Sequence, residues 1–112
     1  MSPLDITVRD TPKGPVVAVI GELDYDTCAD LRELLETLPL ERGRRLVLDL
    51  ARMEFCDSSG ITTLIAARNH AHSVGADIAL AAVPANALRV LRVVGLDQVF
   101  PLHPDAESAF GP

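Results

Sequence analysis

The stretch Phe55-Cys56-Asp57-Ser58-Ser59-Gly60 separates two different apolar patterns. Upstream, Leu46, Val47, Leu48 and Leu50 form an apolar run interrupted by Asp49, which suits an interior strand of a partly parallel sheet. Downstream, Ile61, Leu64, Ile65 and Ala71 mark one face of a helix, with Arg68 able to lay its aliphatic stem along the edge. Asp57 or Ser58 caps that helix by accepting hydrogen bonds from its unpaired first-turn N–H groups. The two serine hydroxyls then sit at a helix start, where backbone donors favour an added negative charge. That placement suggests a regulated serine, although plain N-capping also accounts for the polar residues. Gly60 is harder to explain by capping alone, because glycine in a first turn costs roughly 1 kcal/mol relative to alanine. Either a partner approaches the serine closely there, or the backbone needs an unusual angle.

Toward the N-terminus, Leu4, Ile6 and Val8 alternate with polar residues as a strand with one wet face does. Thr11-Pro12-Lys13-Gly14-Pro15 reads as a turn. Residues 16–20 form a nearly continuous apolar run, a more central strand paired antiparallel to the first. A helix follows, with Leu31, Leu34, Leu35 and Leu38 on one face, Cys28 one turn earlier, and Asp24 or Asp26 as its cap. Pro39 ends it, and a loop to Gly43 leads to the central strand at residues 45–50. The connection is long enough for a parallel crossover.

Toward the C-terminus, Gly75 reads as a helix C-cap and residues 78–83 as a buried, alanine-rich strand. Pro84 opens a helix with Leu88, Leu91 and Val94 on its apolar face, and Gly95 closes it. Residues 98–102 read as an edge strand, since Pro101 lacks an N–H for an interior position, and residues 104–109 as a weak helical turn. The order β-β-α-β-α-β-α-β implies an α/β fold for residues 1–112 as a single domain. Its mixed, mostly parallel sheet of about five strands has the N-terminal β-hairpin at an edge and helices packed against it.

Composition narrows the function. The net charge of −6 argues against a nucleic-acid binder, which needs clustered Lys and Arg; Arg42, Arg44 and Arg45 are too local to reverse it. No segment approaches the ~20 apolar residues needed to span a bilayer, and no secretory signal is visible, so the expected location is cytoplasmic. Cys28 and Cys56 lack metal spacing and read as buried thiols. A Gly-x-Ser-x-Gly elbow, a P-loop and a Gly-x-Gly-x-x-Gly fingerprint are all missing from the sequence. His70 and His72, two residues apart, do not share a helix face, and His103 lies near the C-terminus. The expectation is a protein that is not an enzyme and uses no cofactor or metal.

In this order the segments resemble the bacterial anti-sigma factor antagonists, small single-domain members of the STAS family. The resemblance rests on Gly21-Glu22-Leu23-Asp24, Leu46-Val47-Leu48-Asp49-Leu50, the Phe55 to Gly60 signature, and Leu91 with Gly95-Leu96. It runs over nearly the whole chain. It implies a protein whose unphosphorylated form binds an anti-sigma factor, itself a serine kinase of the histidine-kinase-like ATPase type, and so frees a sigma factor. The kinase then phosphorylates a serine of the antagonist, and a PP2C-type phosphatase reverses the modification. Matched to the signature, the acceptor is Ser59, directly before the glycine, with Ser58 beside it. Asp57 orients the loop, Gly60 gives access, and Asp24 helps shape the kinase-facing surface. The resemblance gives Cys56 no role. A STAS scaffold subunit of a larger stress-signalling assembly and, more remotely, a nucleotide-binding module are the alternatives. No membrane or nucleic-acid partner is expected, and the protein is expected to be a monomer.

Overall fold

The computed structural model describes residues 3–111. Strand β1 (Leu4–Thr11) turns back into β2 (Gly14–Leu23), which pairs with it antiparallel along its length. The turn demands glycine at position 14. There φ is +148°, and a Cβ would lie 1.8 Å from the Arg45 carbonyl oxygen. Helix α1 (Cys28–Thr37), strand β3 (Arg45–Asp49), strand β4 (Met53–Cys56) and helix α2 (Ser58–Ser73) follow. Then come β5 (Asp77–Ala81), α3 (Ala85–Val93), a 3-10 turn at Leu96–Gln98, β6 (Leu102–His103) and α4 (Ala106–Ala109).

The strand order is β1-β2-β3-β5-β6, with β4 pairing off this path onto the end of β2. All pairings except the hairpin are parallel. The α/β architecture, the edge hairpin and the central position of residues 45–49 match the expectation. The sheet has six strands rather than about five. The addition is β4, whose four residues show no clear alternation and whose last two, Phe55 and Cys56, open the stretch Phe55–Gly60. The strand expected at residues 98–102 is displaced. Residues 96–98 form the 3-10 turn, and β6 begins after Pro101, whose carbonyl still accepts from Leu80 N–H at 2.9 Å.

The sheet is buried on two sides, as its alternation requires. Leu46, Leu48, Ile78 and Leu80 point into the main core with Leu31 and Leu35 of α1, Leu64 and Ala67 of α2, and Leu91 of α3. The intervening Val47, Ala79 and Ala81 form a smaller core with Val16 and Ala109, against which Phe110 packs. The small residues of β5 are thus matched to the short α4 rather than to a long helix.

Candidate functional site

Strands β2 and β4 end in register, Leu23 beside Cys56, and the chain leaves both at the same end of the sheet. Two loops therefore start side by side, one entering α1 and the other entering α2. Asp57 joins them. Its backbone is extended, as an N-cap requires, and Oδ1 accepts from Gly60 N–H at 3.0 Å. Oδ2 accepts from Tyr25 N–H in the other loop at 3.2 Å. Of the two caps open in the sequence, Asp57 is the one used.

The loop before α1 is closed by Asp24. Its Oδ1 accepts from the N–H groups of Asp26 and Thr27, at 3.0 and 3.1 Å. Thr27 answers from the other direction: its hydroxyl accepts from Asp24 N–H at 3.0 Å and lies 2.8 Å from the Glu22 carbonyl, to which it donates. The expected cap of α1, Asp24 or Asp26, is not the one found; the N-cap position is Thr27, whose side chain turns back into the loop. Thr27 is buried. Sequence reasoning missed it, although the Asp-x-x-Thr spacing is a signal for reciprocal turn bonding.

Ser58 and Ser59 are the first two residues of α2. Ser58 is exposed and Ser59 half-buried. Their carbonyls accept from the hydroxyls of Thr62 and Thr63, both at 2.9 Å. Their own hydroxyls have no hydrogen-bond partner among the described residues. Both are free to react with or bind an incoming group.

Gly60 faces the protein interior. It is a buried residue of α2, and a Cβ there would lie 2.6 Å from both the Leu23 carbonyl oxygen and Cys56 Sγ. The glycine lets the start of α2 approach the end of β2. This packing role, rather than access for a partner or a left-handed backbone angle, explains the residue that capping left open. Cys56 closes the same contact. Burial, and then the negative charge of Asp57, push its thiol up to about 11, so at neutral pH it is a protonated packing group.

Two large side chains at this end escaped the sequence reading. Tyr25 is 80% exposed and Phe55 48% exposed, and nothing in a single polar loop distinguishes an outward aromatic from an inward one. His70 lies instead between α1 and α2, and His103 on β6. Among the described residues, no three of His, Cys, Asp and Glu cluster as a metal site, and no helix is long and apolar enough to cross a membrane.

The site can thus present two unengaged hydroxyls at a helix N-terminus, framed by carboxylates and exposed aromatics. A family model described as "Mlab, STAS domain" matches residues 6–104. The anti-sigma-F factor antagonist RsfB of Mycobacterium tuberculosis is 29% identical over 108 residues, covering 95% of this chain and 86% of that protein. The crystal structure of an anti-sigma factor antagonist from Mycobacterium paratuberculosis superposes with a TM-score of 0.78 at 28% identity, covering 95% of this chain and 90% of that one. The unphosphorylated form of the anti-sigma factor antagonist SpoIIAA shares the fold, with a TM-score of 0.75 at 17% identity and 94% and 92% coverage.

Proposed function

The chain belongs to the STAS-domain family, and from that premise we propose that it is an anti-sigma factor antagonist switched by serine phosphorylation. In its unphosphorylated form it binds an anti-sigma factor serine kinase and so releases a sigma factor. It is a binding partner and a substrate rather than an enzyme, and it acts as a monomer in the cytoplasm. The observation that carries this reading is the pair of free hydroxyls on Ser58 and Ser59, at the N-terminus of a helix beside the Asp57 bridge. The similarity to RsfB supports the partner class.

A phosphate brings about −1.5 to −2 charges and three strong acceptors. At a helix N-terminus that charge is tolerated, so the fold is retained. Beside Asp24, Asp26 and Asp57 it opposes a closely packed partner, so the complex is lost. A PP2C-type phosphatase would restore binding. The resemblance to the family signature implies Ser59 as the acceptor. Accessibility favours its neighbour, since Ser58 is exposed and Ser59 half-buried, and we therefore rank Ser58 first and Ser59 second as acceptor.

Incubation with the cognate kinase and ATP, followed by peptide mapping, tests the assignment. Ser58→Ala is expected to abolish phosphorylation while retaining binding, and Ser59→Ala to be modified at a near-normal rate. Modification of Ser59 alone would return the acceptor to that position. Phosphate found only outside residues 57–60 would overturn the switch.

A further inference from the structure

Strands β5 and β6 also end in register, Ala81 beside His103. From there the chain leaves toward opposite faces of the sheet. After β5 it enters α3, whose Leu91 packs in the main core; after β6 it enters α4, whose Ala109 packs in the smaller core. Adjacent parallel strands whose carboxyl ends lead to opposite faces leave a crevice between the two exits, the place where open α/β sheets receive ligands. Here the crevice is a cavity of about 420 Å³, bounded by Ala82 and Val83 after β5, Leu88 and Arg92 on α3, and Leu102 and His103 on β6.

The walls divide into an apolar and a basic part. Val83, Leu88 and Leu102 are half-buried aliphatic side chains. Arg92 and His103 are the ionisable groups of the lining, which in a chain with 16 acidic residues holds no carboxylate. Neither makes an ion pair or a side-chain hydrogen bond among the described residues. Asp105 feels the His103 charge from outside the lining, and its Oδ1 is engaged by the Ser108 N–H at 2.8 Å. The backbone is strained at the same place. Ala82, with φ at +54°, is the one non-glycine residue in the left-handed region among the described residues, and its N–H donates to the His103 carbonyl at 2.9 Å. Residues held in that conformation cluster at ligand sites.

We propose that this crevice binds a small organic carboxylate. The Arg92 guanidinium grips the carboxylate with its paired N–H donors, His103 supplies a second contact, and an aliphatic or aryl body lies against Val83, Leu88 and Leu102. The lining selects this class from both ends. A cation meets Arg92 with like charge, an uncharged molecule forgoes the charge-assisted bonds, and a bare inorganic anion leaves the aliphatic wall in water. The site is independent of the serine switch, since β3 stands between the strand pair that carries the switch and the pair that carries the crevice.

The test is an NMR titration of the full chain with phenylacetate, run beside phenylacetamide, which lacks the charge, and acetate, which lacks the ring. Phenylacetate is expected to bind with a Kd of about 1 mM and at least about tenfold tighter than either control. Its shifts should fall on the amides of residues 82–83, 88–92 and 102–103 and on the Arg92 Nε–H. Arg92 is exposed, so Arg92→Gln is expected to keep the unfolding midpoint while weakening phenylacetate about tenfold, and His103→Gln to weaken it about threefold. No shifts at about 20 mM phenylacetate, equal binding of phenylacetamide, or shifts centred on other elements would overturn the proposal. Equal binding of acetate would reject the apolar body, and unchanged affinity in Arg92→Gln would reject the carboxylate grip; either result overturns the assigned ligand class.

Discussion

A methyl group has no room at Gly60. Elsewhere in a helix, Gly→Ala gains roughly 1 kcal/mol of propensity. Here the new carbon would meet the Leu23 backbone oxygen at 2.6 Å, and a strand backbone cannot swing aside as a flexible side chain can. Gly60→Ala is expected to destabilise by about 1–2 kcal/mol, read as a lower urea midpoint; an unchanged or higher midpoint would show that α2 can shift outward. The same contact shelters Cys56. Because burial raises its thiol from 9.0 to about 11, the folded state holds this proton more tightly than the unfolded state. Its contribution to stability is full below about pH 9 and is lost as pH rises toward 11. At pH 8, Cys56 is expected to react with iodoacetamide about a hundredfold more slowly in the folded protein than in urea, as mass spectrometry of the Cys56 peptide would show.

The loop before α1 is closed by the side chains of Asp24 and Thr27, which reach backbone groups, and Thr27 is the buried one of the two. Removing its hydroxyl leaves the Asp24 N–H and the Glu22 carbonyl without their partner. Thr27→Val is expected to cost about 1–3 kcal/mol and to accelerate amide exchange in residues 24–28; unchanged exchange would mean that Asp24 alone holds the turn. At this scale the sequence was readable wherever a pattern ran long enough. The hairpin alternation, the leucine face of α1, the apolar run of β3 and the polar start of α2 all correspond to elements of the structure. β4 was hidden because Met53-Glu54-Phe55-Cys56 is brief and pairs with β2 beyond the main strand order. The role of Asp24 was half-legible. Its type and position marked a turn, but only the fold shows that it closes the loop while Thr27 occupies the cap. The inward direction of Gly60 depends on the spacing between α2 and β2, which no local pattern encodes.

Across the molecule, the two faces of the sheet are unequally covered. Three helices share the main core, whereas the opposite face relies on α4 and the segment around it. Arg45 ties that segment down, donating from Nη1 to the Ala109 carbonyl at 2.6 Å. Deleting residues 105–112 is expected to expose Val16, Val47, Ala79 and Ala81, lower stability by about 2–4 kcal/mol and raise binding of a hydrophobic dye. Retained stability without dye binding would show that the small residues of β5 need no cover. At the other extreme of exposure stands Tyr25, whose N–H is held by the carboxylate that caps the serine helix. The chain has a single tyrosine and no tryptophan, so emission excited at wavelengths that phenylalanine does not absorb comes from one ring, beside the start of the serine helix. The docking and release proposed for this end are therefore expected to register in the unlabelled protein as a change in the intensity and anisotropy of one ring.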